Sequence, residues 1–120
     1  MKEFTLIFRL NDIADFKPTT EQIQERMRWL EGIAAQGKLV DKGNTLLPAP
    51  GSAKTVRAGN VVTDGPYTEI KEFIVGYVIV KTTDIDEAVA MAKENPIFKI
   101  GGCIEVREVL KRDQAYPVMR

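Results

Sequence analysis

Seven side chains in this 120-residue chain have the types and spacing to do chemistry: Arg9, Asp64, Tyr67, Lys71, Glu72, Glu105 and Arg107. Asp64 opens the Asp-Gly-Pro turn in TDGPYTEIKEF, which spans Thr63 to Phe73. A carboxylate works as a general acid or base when burial or a neighbouring charge tunes it. Asp64 also suits a purely structural task. It can accept backbone amide hydrogen bonds and hold the turn, with Gly65 at the third position, where positive φ is wanted. Glu69 and Lys71 point one way along an extended segment and Glu72 the other. They are either a solvated hairpin rim or groups that close over a ligand, with Tyr67 beside them. Glu105 and Arg107 lie two residues apart on one strand face. They form an ion pair, or Arg107 joins Arg9 in gripping a small anion such as a carboxylate, for which guanidinium geometry is apt. Trp29 reads as packing rather than a ligand platform.

The residues that are missing narrow the chemistry further. The chain has no histidine, which removes imidazole bases, histidine-dependent nucleophile triads and histidine metal sites. Its one cysteine, Cys103, cannot form an internal disulfide and suits a reducing compartment. Cys103 falls in an expected strand and reads as an inert thiol. No Asp-x-Asp-x-Asp-Gly calcium loop and no Gly-rich phosphate loop leading into a helix is present, so neither a metal nor a nucleotide cofactor is expected. Lysine plus arginine equals aspartate plus glutamate at 17 each, which argues against a nucleic-acid partner. Phe73 to Val80, the longest apolar run, is too short to span a bilayer. With no signal peptide at the N-terminus, a cytoplasmic protein with no membrane partner is expected.

The elements that must position these groups follow from hydrophobic period. Phe4, Leu6, Phe8 and Leu10 alternate with Thr5, Ile7 and Arg9, which predicts a first strand. Thr19 and Gln22 form a capping-box pattern. A helix with the apolar stripe Ile23, Met27, Leu30 and Ala34 should run to Gln36 and stop at Gly37. A short strand is expected around Asn44 to Leu47, and another over Thr55 to Thr63, made irregular by Gly59. Phe73 to Lys81 is apolar on both faces, as a central strand should be. Asp84 caps a second helix with Glu87 at the reciprocal position, and that helix ends at Asn95-Pro96. Cys103 to Leu110 is the last strand. Residues 1–110 form one domain and 111–120 a tail.

This order predicts an α+β fold of the ferredoxin-like kind: an antiparallel sheet with two helices on one face and an inserted hairpin strand. Two helices cover only one face of such a sheet. The other face combines Arg9, Glu105 and Arg107 with aliphatic residues and Tyr77. A face of that composition is better buried against a second copy than left wet, so a sheet-to-sheet homodimer is expected.

Taken together, VVTDGPYTEIKE, GYVIV, DIDEAVAMAKENP and CIEVREV resemble the DGPF group of YCII-related proteins. The turn is Asp64, Gly65, Pro66 and Tyr67, with Tyr where the pattern has Phe. The helix carries Asp84, Glu87 and Ala88 and closes at Pro96, and the last strand carries Glu105, Val106 and Arg107. The resemblance covers residues 1 to about 110 and implies a dimeric α+β barrel. Broader relatives are suggested to use a His and an Asp around a cleft. With no histidine in the chain, only Asp64 carries over. The family's frequent association with extracytoplasmic-function sigma factors implies a regulatory setting. The leading expectation is a small-molecule-binding or accessory homodimer with a pocket on the helix-distal sheet face. It would be rimmed by Asp64, Tyr67 and Lys71, with Arg9 and Arg107 inside. The alternatives are a cofactorless enzyme of lyase or hydrolase type using Asp64, and a protein-interaction module linked to sigma-factor regulation.

Overall fold

Alternation in the first strand produces the core. In the computed structural model, which describes residues 1–12, 16–49, 51–66 and 73–111, β1 runs Lys2–Leu10. Its Phe4, Leu6, Phe8 and Leu10 are all buried. They face two helices, α1 (Thr20–Ala35) and α2 (Ile85–Ala92). Leu30, Ile33, Ala88 and Ala92 complete the core with them, together with Val78 and Val80 of the central strand β5 (Phe73–Thr82). Burying these side chains contributes about 1.5–3 kcal/mol for each large one, which is the main force closing the fold.

The helix ends form where local chemistry sets them. Thr19 Oγ1 accepts from the Gln22 amide at 3.1 Å while Gln22 Oε1 accepts from the Thr19 amide at 3.3 Å, a complete capping box. Gly37, at φ 70°, ends α1 and donates to Ala34 O at 2.9 Å. Asp84 caps α2 through the Glu87 amide at 2.9 Å. The Glu87 carboxylate does not return to Asp84. It accepts from the Thr83 amide at 2.9 Å and pairs with Lys38, tying α2 to the end of α1.

The four-stranded sheet has the order β2-β5-β1-β6, with β2 at Leu39–Asp41 and β6 at Cys103–Glu108. The pairings β2 with β5, β5 with β1 and β1 with β6 are all antiparallel. This is the ferredoxin-like α+β arrangement. Between β2 and β5 the chain adds a separate two-stranded hairpin, β3 (Lys54–Arg57) with β4 (Val61–Asp64).

Three expectations need correction. The stretch from Thr55 to Thr63 is not one strand. Gly59 at φ 80° and Asn60 at φ 63° are both left-handed and turn it into the hairpin. The strand expected at Asn44 to Leu47 lies earlier, at Leu39–Asp41. Gly43, at φ 68°, then turns the chain, and residues 44–46 follow β5 only by the Thr45–Gly76 bridge and its flanking bonds. Finally, the buried face of α1 is Trp29, Leu30 and Ile33, whereas Ile23 and Met27 are half-exposed at 52% and 50%. Two stripes overlap on this helix, and packing against β1 selects the one carrying Trp29. Its indole meets Phe8 edge-on with ring centroids 6.0 Å apart, and Nε1 donates to Met91 O at 2.9 Å. The chain past α2 also forms a short 3₁₀ helix, Pro96–Ile100, that periodicity did not indicate.

Candidate functional site

The helix-free face of the sheet brings Arg9, Glu105 and Arg107 together. Strand register sets this: β1 pairs with β6 so that Ile7 opposes Glu105, Arg9 opposes Cys103 and Thr5 opposes Arg107. All these side chains share one face because strand positions alternate. Arg9 reaches diagonally to Glu105 Oε1, with Nη2 at 2.9 Å and Nε at 3.2 Å. Arg107 Nη1 takes the other oxygen at 3.0 Å. Hydrogen bonds from Arg107 and then Arg9 hold the Glu105 carboxyl below its ordinary range. The two guanidiniums therefore already clasp an anion, and it belongs to the protein. Cys103 is half-buried on the same strand.

Asp64 sits elsewhere, at the end of β4 on the hairpin. Its Oδ1 accepts from the Gly51 amide at 3.1 Å and from Lys54 Nζ at 3.2 Å. The Gly65 amide donates to Ala53 O at 2.6 Å, and Gly65 takes φ 97°. Asp64 thus pins two turns together. The Gly51 amide first, and Lys54 second, push its pKa down. An acid–base role would need the opposite direction. Tyr67, Lys71 and Glu72, with Glu69, lie outside the described residues.

A cavity lies on the other side of the sheet from Arg9, Glu105 and Arg107. It has a volume of about 480 Å³, and it opens on the helix side between the first turns of α1, the 3₁₀ helix and the segment around Thr45. This helix-side cavity is not lined by Arg9, Asp64, Glu105 or Arg107; the pocket expected on the helix-distal face would need a second copy and Tyr67 and Lys71, which lie outside the described residues. A physical cause is visible at the floor. Gly76 of β5 has no side chain, and opposite Phe8/Arg9 β5 carries an extra residue, Val75, as a bulge, so the sheet under the start of α1 is thinly filled. Phe8, Leu10, Phe16, Val75, Ile97 and Ile100 supply apolar walls. The polar members are Lys17, Gln22, Arg26, Thr45 and Asn95.

Arg26 is the functional candidate that sequence reasoning missed. Its guanidinium is half-buried and donates from Nη1 to Thr45 Oγ1 at 3.2 Å. Burial pushes its pKa below the ordinary value, yet a guanidinium stays charged in a protein. A signal was present. Arg26, Trp29, Leu30 and Ile33 fall at i, i+3, i+4 and i+7, so a cation stands on the buried face of the helix. Among the described residues, no group of three histidine, cysteine or acidic side chains is placed to hold a metal ion. No helix among them is long and apolar enough to cross a membrane.

Comparison with protein families matches the YCII-related domain over residues 4–113. That is nearly the whole chain, from β1 through the last strand. The chain belongs to the YCII-related family. Curated proteins yield no match to it. Within this YCII-related fold the Asp-Gly-Pro turn lies on the inserted hairpin. Its aspartate closes the hairpin onto the preceding turn.

Proposed function

We propose that this YCII-related protein is a small-molecule-binding homodimer whose ligand sits in the helix-side cavity. The observation that carries this reading is the cavity itself, about 480 Å³ with mostly apolar walls. That size and lining are typical of small-molecule sites. The helix-free sheet face supports the dimer. Ile7, Tyr77 and Ile79 stand half-buried there with no helix packed over them among the described residues, and Ile74 is 37% exposed. The Arg9–Glu105–Arg107 cluster borders these aliphatics and sets a charged register for a second sheet.

The test is calorimetric titration with 1-octanol, a neutral probe that fits the volume. Saturable binding with a negative heat-capacity change is expected. Absence of saturable heat up to the solubility limit would sink the cavity reading. For the dimer, light scattering should give twice the chain mass, and Ile79→Lys should give the chain mass with the fold intact by circular dichroism. A wild-type monomer would refute it.

The depressed Asp64 and its place outside the lining count against a lyase or hydrolase built on that residue. A protein-interaction module remains as a second reading because the hairpin exposes the cross-strand pair Val56 and Val62, at 73% and 56%. That reading predicts that the double change Val56→Ser and Val62→Ser abolishes partner capture and leaves octanol binding intact.

A further inference from the structure

The cavity's polar lining is one-sided. Lys17 and Arg26 are both cationic, and no aspartate or glutamate stands among the described lining residues. This contrasts with a chain whose charges balance at 17 of each sign. Neither cation forms an ion pair with another described residue. Among the described residues Arg26 bonds Thr45, and a guanidinium carries five N–H donors.

The neutral side chains point to the same conclusion. The Gln22 carbonyl oxygen is engaged by the Thr19 amide at 3.3 Å. The Asn95 carbonyl oxygen is engaged by the Ile97 amide at 2.8 Å, and Asn95 is only 7% exposed. Thr45 Oγ1 accepts from Arg26 and keeps its proton to donate. Each of these side-chain oxygens already accepts one hydrogen bond, while the groups with unspent hydrogens are the guanidinium, an ammonium, two amide NH₂ groups and a hydroxyl. All of these donate. A ligand that satisfies them must bring acceptors, and a half-buried guanidinium with no carboxylate beside it among the described residues favours an anion.

We infer that the ligand is an amphipathic monocarboxylate, its apolar body against Phe8, Leu10, Val75 and Ile97 and its carboxylate on Arg26, with Lys17 and Asn95 beside it. A guanidinium offers a carboxylate two parallel N–H donors, so the head group is fixed in orientation as well as held by charge. This inference rests on the reading of the cavity as a ligand site.

The experiment compares octanoate, 1-octanol and octylammonium by calorimetry at neutral pH, in the wild type and in Arg26→Gln, Arg26→Lys and Lys17→Gln. Octanoate should bind the wild type at least about tenfold more tightly than octanol, the low end for a charge-assisted hydrogen bond. Octylammonium should bind more weakly than either. In Arg26→Gln the octanoate-over-octanol preference should vanish, in Arg26→Lys it should partly return, and in Lys17→Gln it should shrink. The preference should also fall as salt is raised. Equal affinities for octanoate and octanol in the wild type would overturn the anion assignment while leaving the cavity as a ligand site. So would a preference that survives in Arg26→Gln, or, if that variant does not fold, one unchanged in Lys17→Gln. Failure of all three probes would overturn the cavity reading itself, and this inference with it.

Discussion

Phe8→Ala tests directly whether the helix-side cavity is real, provided it is measured beside Leu6→Ala. Both residues are on the buried face of β1, Leu6 at 0% and Phe8 at 5% exposure. Leu6 is surrounded by core on all sides, so its truncation loses about 2.5 kcal/mol of transfer free energy. A closed void of roughly 70 Å³ adds about 1.5 kcal/mol, so Leu6→Ala should cost about 4 kcal/mol. For Phe8 the transfer loss is larger, about 3 kcal/mol. Loss of the edge-on contact with Trp29 adds about 0.5–1 kcal/mol. The void left by the ring, however, opens into the existing cavity, so almost no separate cavity cost follows. Phe8→Ala should therefore cost about 3.5–4 kcal/mol, within about 1 kcal/mol of Leu6→Ala. If the ring were enclosed on every side, its void of about 100 Å³ would add about 2.5 kcal/mol and bring the loss to about 6 kcal/mol. Urea unfolding followed by circular dichroism, at one fixed protein concentration, measures both values. A Phe8→Ala cost exceeding Leu6→Ala by about 2 kcal/mol or more would refute the open cavity.

Acid should destabilise the fold in a defined direction. Hydrogen bonds from Arg107 and Arg9 depress Glu105, and those from Lys38 and Thr83 depress Glu87. A depressed carboxylate contributes stability that is present above its unfolded value, about 4.3, and is lost as pH falls through the lower folded value. The melting temperature should hold from pH 7 to 5 and drop below about pH 4, and Glu105→Gln should flatten that drop. A melting temperature equally acid-sensitive in Glu105→Gln would show that this cluster is not responsible. Gly43→Ala should disrupt the β2–β5 side of the sheet. The residue takes φ 68°, which costs a non-glycine residue about 1–2 kcal/mol, and a Cβ there would overlap the Tyr77 carbonyl. A Gly43→Ala variant with wild-type urea midpoint would contradict this. Asp64→Asn should fold normally and bind octanol as the wild type does, because the side chain is exposed on the hairpin and outside the lining. Loss of binding with an intact fold would return Asp64 to the site.

What the sequence by itself determined is what short-range chemistry decides. The caps Thr19–Gln22 and Asp84, the stop at Gly37 and the alternation of Phe4 to Leu10 are local, and each formed where it was read. The order of elements was enough for the ferredoxin-like topology, and the placement of Arg9, Glu105 and Arg107 on the helix-free face followed from alternation. Tertiary structure alone decided how those groups are used. Arg9 and Glu105 lie 96 residues apart and meet only through the β1–β6 register. That pairing sets both arginines on the Glu105 carboxylate. Likewise, periodicity permitted two stripes on α1, and only packing against β1 chose the one that carries Arg26 inward with Trp29. A cavity is a failure of surfaces from distant segments to close. It lies where Gly76, the bulge opposite Phe8/Arg9 and the turn of chain before Thr45 come together. No spacing within one segment encodes that, because the missing volume belongs to none of them.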